Sequence, residues 1–159
     1  MYVYYNPNPL RLSVGDCTIR AISCALNYSW EQTYNALARQ GFEMCDMPSA
    51  NRVWGTFLKS QGFKKYQMPD TCPDCYTIRD FCYDFPQGTY IVETGEHVVC
   101  IINGHYFDSW DSGNEIPIYY FKRSWYIWLI TLIFRRHIRL RPIHTARLRL
   151  IFSETSTDS

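Results

Sequence analysis

The sequence predicts a single α+β domain, on three observations. Amphipathic segments with cap residues fill its first half, runs of β-branched and aromatic residues follow, and an Asn103-Gly104 dipeptide separates two of those runs. With 159 residues, 47% hydrophobic and 17% aromatic, the chain has enough apolar material for one well-packed core.

The first helix opens at Cys17, behind Gly15 and Asp16, and repeats Ile19, Ile22 and Leu26 at helical spacing until Asn27 ends it. Ser29 and Gln32 form a capping-box pattern for a second helix from Trp30 to Gln40, with Gly41 as its left-handed stop. Ser49 opens a third, which carries Val53, Trp54, Phe57 and Leu58 on one face and ends at Gly62. Thr77 caps a short fourth helix that reaches Phe85. Strand signals then cover Thr89 to Glu93, His97 to Ile102, Tyr106 to Trp110 and Ile116 to Phe121, and Pro117 places the last of these at an edge or a bulge. These strands are expected to form an antiparallel sheet. Met1 to Leu10, with its prolines and asparagines, shows no secretory pattern, so the expected compartment is the cytoplasm.

Composition divides the chain near residue 122. Residues 1–121 hold 8 Lys and Arg against 13 Asp and Glu, whereas residues 122–159 hold 8 against 2. The expected organisation is a domain over 1–121 and an apolar, then basic, extension over 122–159. The apolar run from Trp125 to Phe134 is 10 residues long, half of the ~20 that cross a bilayer as a helix, so no membrane span is expected. The arginines beyond it suit weak association with an anionic surface better than specific nucleic-acid binding, and the simplest reading is a poorly folded extension.

Seven cysteines without an export signal read as reduced thiols, each to be judged by its surroundings. Cys17 stands at a helix start, where unpaired N–H groups and the positive end of the dipole favour the thiolate. The same N–H groups, with the amide of Cys17 itself, are placed to stabilise an oxyanion. A two-residue Asn103-Gly104 turn sets Ile102 opposite His105 and Val99 opposite Asp108. His97, two residues before Val99, is then a diagonal neighbour of Asp108. A thiol nucleophile, an imidazole base and an orienting carboxylate are thus available in Cys17, His97 and Asp108.

Val14-Gly-Asp-Cys-Thr-Ile-Arg-Ala-Ile22, His97-Val-Val-Cys-Ile-Ile102 and Tyr106-Phe-Asp-Ser-Trp-Asp-Ser-Gly113 resemble the papain-like cysteine peptidase superfamily in residue type and chain order. Gly15, Cys17, Arg20, Ala21 and Ile22 fall on positions of the nucleophile motif of ovarian-tumour-type deubiquitinases, and residues 1–121 are similar to small uncharacterised phage and prophage proteins. The resemblance implies a papain-like fold and a thiol-dependent hydrolase of peptide, isopeptide or amide bonds, acting without a cofactor on a protein or peptide. It also implies an oxyanion donor near Cys17. No glutamine precedes the cysteine, which leaves Asn6 or Asn8, and Asp16 directly before the nucleophile, as candidates. The other class of function is a papain-like scaffold without efficient turnover that binds a host protein.

Cys72-Pro-Asp-Cys75 is the weaker alternative site, a C-x-x-C pair suited to zinc or to redox chemistry but lacking a second such pair. Cys24 and Cys100 lie in apolar runs and read as core, and His105 beside the turn reads as solvated. Trp54, Phe57, Phe63, Tyr66, Tyr106 and Trp110 read as core aromatics rather than as a groove. Asp111, ahead of Ser112-Gly113, reads as a turn residue bonded to its own backbone.

Overall fold

A computed structural model describes residues 1–70 and 74–124. It is a mixed α+β fold with helices α1 (Cys17–Leu26), α2 (Trp30–Met44), α3 (Asn51–Ser60) and α4 (Ile78–Asp84). The strands are β1 (Tyr2–Tyr4), β2 (Phe63–Gln67), β3 (Thr89–Glu93), β4 (Val98–Ile102), β5 (His105–Asp108) and β6 (Tyr119–Arg123). They form one sheet in the order β1-β5-β4-β3-β6-β2. The sheet is mixed rather than purely antiparallel, because β1 joins β5 in parallel.

Alternation along the central strands gives the sheet two buried faces. Ile91, Val98, Cys100 and Phe121 turn toward α1, α2 and α3, where they meet Ala21, Ile22, Ala25, Leu37, Trp54 and Leu58. Tyr90, Val92, Val99, Ile101 and Tyr106 turn the other way and pack on Ile78, Phe81 and Cys82 of α4. Trp54 is fully buried, stacks on Tyr119 at 6.1 Å and satisfies its indole N–H on Asn51 at 3.1 Å. Of the six aromatics read as core, Trp54, Phe57, Phe63 and Tyr106 are buried, whereas Tyr66 and Trp110 are exposed.

Local chemistry sets the boundaries. Asn27 takes a left-handed φ of 56° and closes α1, and both capping boxes, Ser29 with Gln32 and Thr77 with Asp80, are formed. The α2 helix runs past Gly41 to Met44, and Cys45 supplies the left-handed cap instead. Gly41 is needed for a different reason: a Cβ there would lie 2.6 Å from the Asp46 carbonyl oxygen of the returning chain. The α3 helix starts at Asn51 behind Ala50, with no side-chain cap from Ser49. Asn103 (φ 49°) and Gly104 (φ 73°) make the expected two-residue turn, pairing Ile102 with His105 and Cys100 with Phe107.

The last strand begins later than its sequence signal, at Tyr119, leaving Ile116 and Pro117 in the connecting loop. It also crosses the expected boundary at 121. Lys122 pairs with Lys64 and with Tyr90, Arg123 pairs with Phe63, and the Ser124 N–H donates to the Gly62 carbonyl at 3.0 Å. A chain ending at Ser124 is therefore expected to unfold cooperatively. One ending at Phe121 loses ladder bonds on both sides of β6 and is expected to melt about 5 °C lower or more, as thermal denaturation followed by circular dichroism would read. If the shorter chain melts with the longer one, β6 contributes nothing past Phe121. The apolar run and the arginines of the extension lie outside the described residues; among those described, no helix is long and apolar enough to cross a membrane.

Candidate active site

Three separate elements bring Cys17, His97 and Asp108 together. Cys17 is the first residue of α1, His97 directly precedes β4, and Asp108 ends β5. The Asn103-Gly104 turn fixes the β4–β5 register, and the diagonal approach it implies is realised: His97 Nε2 lies 2.5 Å from Asp108 Oδ2. That bond leaves the other ring nitrogen, Nδ1, for the Cys17 sulfur. Cys17 is half-buried, which raises its thiol pKa, but hydrogen bonds from His97 and the Val98 backbone, the His97 charge and the Thr18 hydroxyl together bring it below its ordinary value. Burial likewise disfavours the imidazolium of His97. The hydrogen bonds to Asp108 and Cys17 outweigh it and push the His97 pKa up to about 9. Opposite shifts on adjacent groups favour a thiolate–imidazolium pair.

Asp108 is 2% exposed and tightly held. Besides His97, its carboxylate accepts from the Ser112 hydroxyl at 2.7 Å and from the Ser109 N–H at 2.7 Å. Arg20 Nη2 stands 3.6 Å from its other oxygen. Its backbone is clamped by β1, since the Tyr5 N–H donates to the Asp108 carbonyl at 2.7 Å. Trp110 lies against the His97 ring at 5.2 Å between centroids and shields it from water on that side.

Comparison of the sequence with protein-family models and with curated proteins, and of the fold with solved structures, gives no match. The likeness to papain-like peptidases therefore rests on the residues that carry it.

Asn8 and Asp16, the side chains expected to serve an oxyanion, are given other parts. Asp16 is a carboxylate that can only accept, and it accepts from Arg20 Nη1, from Trp30 Nε1 at 2.8 Å and from Asn8 Nδ2 at 3.3 Å. Drawn aside in this way, it makes no cap bond to α1, although it occupies the cap position. The N–H groups of the first turn are thus not closed off by the residue that would ordinarily bind them. Asn8 is committed as well: its Oδ1 accepts from the Leu10 and Leu12 N–H groups, at 3.0 and 3.4 Å, and shapes the loop that leads to Cys17. Asn6, the other amide considered, accepts from the Asn8 N–H at 3.1 Å and donates to the Leu12 carbonyl at 3.3 Å.

Of the remaining cysteines, Cys100 is fully buried and Cys24 half-buried, as their apolar settings imply. Cys75 is exposed, and Cys72 lies outside the described residues; among those described, no cluster of His, Cys, Asp and Glu is placed to hold a metal ion. His105 is exposed, with Nδ1 2.9 Å from the Asn103 carbonyl oxygen. Asp111 accepts from the Gly113 N–H at 3.2 Å, as a turn residue does, and also binds the Tyr106 hydroxyl at 2.5 Å and Arg79 at 2.9 Å. Arg20, Ser112 and Trp110 were not among the site residues drawn from sequence. Only Arg20 left a signal there, a cation between Ile19 and Ala21 on an apolar helix.

Proposed function

We propose that this chain is a thiol-dependent, papain-like hydrolase of peptide, isopeptide or amide bonds, acting on a protein or peptide substrate. The observation that carries the reading is the junction of a lowered Cys17 thiol at a helix N-terminus with a His97 imidazole bonded to buried Asp108. The Cys17 thiolate attacks the carbonyl carbon, and the charge moves to the carbonyl oxygen, which the backbone N–H of Cys17 and its neighbours in the first turn of α1 are suited to receive. His97 gives its proton to the leaving nitrogen as the C–N bond breaks, which leaves a thioester on Cys17. Neutral His97 then takes a proton from water, the hydroxide oxygen displaces the sulfur, and the thiolate–imidazolium pair is restored with release of the acid. Asp108 keeps the ring oriented throughout. The setting expected for the chain is the cytoplasm, that of an infected host if it is phage-borne, as the resemblance to phage proteins implies.

One observation favours a second reading, a binding module with weak turnover: Asn8, a side-chain amide expected to serve the oxyanion, donates instead to Asp16 at 3.3 Å. A single experiment separates the two. Peptide, isopeptide and amide libraries are incubated with wild type and Cys17→Ala, with products and retained ligands both read by mass spectrometry. The hydrolase reading expects products from wild type alone, with a bell-shaped pH profile whose alkaline limb falls near the His97 pKa of about 9. Ligand retained equally by both proteins, without products, overturns it in favour of the binder.

A further inference from the structure

Arg20 is a cation held almost out of water, 6% exposed, inside the apolar flank of α1. Its guanidinium lies between two carboxylates that belong to opposite halves of the site. Nη1 donates to Asp16, directly before the nucleophile, while Nη2 faces Asp108 at 3.6 Å. Nη1 also approaches the Val14 carbonyl at 3.4 Å, and Nε is buried without a hydrogen-bond partner. A buried charge with one unsatisfied N–H is a costly way to hold a helix on a sheet, and a well-packed apolar side chain usually serves as well or better. Position 20 therefore asks for a reason beyond packing.

We infer that Arg20 is a positioning residue for the Cys17–His97 pair: a fixed positive charge that joins the nucleophile's helix to the orienting carboxylate and sets the pH range in which the pair is ionised. The inference rests on the hydrolase reading of Cys17 and adds to it a control of when the site is active. The charged and titratable groups around Arg20 are Asp16 from the loop before α1 and Asp108 from β5, with Cys17 and His97 beyond them. Asp111, the next carboxylate along, is engaged by Arg79 and Tyr106. Without the guanidinium, Asp16 and Asp108 stand uncompensated beside the site. The added negative potential disfavours the thiolate and favours the imidazolium, so the ionisations of Cys17 and His97 both move to higher pH. Loss of the Asp16 charge acts in the opposite sense on Cys17. Arg20 also keeps Asp16 turned away from the first N–H groups of α1, the donors that the oxyanion needs.

The test is the pH dependence of iodoacetamide alkylation at Cys17, resolved from the other thiols by peptide mass spectrometry, together with the NMR titration of the His97 ring. Arg20→Met is expected to move both midpoints up by about one pH unit, so that Cys17 alkylates about threefold more slowly below its midpoint, an about tenfold loss of thiolate being partly offset by its greater nucleophilicity. Arg20→Lys is expected to keep both midpoints, and Asp16→Asn, whose amide oxygen still accepts from Trp30, to move the Cys17 midpoint down. If Arg20→Met does not fold, Arg20→Gln, which keeps an N–H donor for Asp16 but removes the charge, carries the test with the same upward shift expected. Midpoints that stay at wild-type values in the folded variants overturn the inference and leave Arg20 a structural ion pair. A wild-type Cys17 that titrates like an unstructured thiol overturns the hydrolase reading, and this inference with it.

Discussion

His97→Asn is expected to slow iodoacetamide alkylation of Cys17 at neutral pH about tenfold or more and to move the acid limb of its rate profile upward. Burial alone raises the thiol pKa, and the His97 hydrogen bond is the largest of the effects that reverse this, followed by the Val98 backbone bond and the His97 charge. Without His97 only the Val98 and Thr18 hydrogen bonds oppose desolvation. A higher thiol pKa lowers the thiolate fraction at neutral pH, and the greater nucleophilicity of a more basic thiolate returns only part of that loss. Alkylation requires only the thiolate, so this profile has an acid limb alone. Hydrolysis also requires the imidazolium as a proton donor and therefore falls away near the His97 pKa of about 9. An unchanged alkylation rate in His97→Asn would show that the two side chains are not coupled, and the proposed mechanism would lose its base.

Asp108→Asn and Asp111→Asn separate the two acids that follow the hairpin. In Asp108→Asn the amide keeps one acceptor oxygen, for which Ser109, Ser112 and His97 compete, and its NH2 group can face only the Ser112 hydroxyl or an unprotonated His97 Nε2. His97 then loses the partner that fixes its tautomer and raises its pKa. Turnover is expected to fall about a hundredfold or more, and the ring titration to move down from about 9. Asp111→Asn touches an exposed turn tied to Arg79 and the Tyr106 hydroxyl. It is expected to lower the melting temperature slightly while leaving the His97 titration in place. The ring titration needs no substrate and can be measured first. A titration that moves in Asp111→Asn and not in Asp108→Asn would assign the orienting role to the turn.

Local signals account for what the sequence revealed. Helix α1 begins and ends at the expected residues, because Asp16 and Asn27 bracket an uninterrupted apolar period. The hairpin register, and with it the approach of His97 to Asp108, follows from one dipeptide. What was missed depends on partners far along the chain. Strand β1, Tyr2-Val-Tyr4, has good strand residues, yet it pairs in parallel with β5 across nearly the whole fold, and the prolines after it suggest an irregular segment. Strand β2 is an edge strand whose Lys64, Lys65, Tyr66 and Gln67 are all exposed, so it shows no apolar alternation. The capping position of Asp16 could be read from sequence. Its diversion by Arg20, Trp30 and Asn8 could not, since that follows from where α2 and the preceding loop pack.

The wide separation of Cys17 from His97 and Asp108 along the chain has a consequence for biosynthesis. Cys17 leaves the ribosome long before its partners are made, and neither the Val98 N–H nor the His97 charge exists until β4 has formed and α1 has docked on it. A nascent or misfolded copy therefore carries an ordinary thiol, and the lowering of the Cys17 pKa awaits the docking of α1 on β4. The same dependence makes Cys17 an internal reporter: the rate at which a refolding chain acquires fast alkylation measures the docking of its two halves.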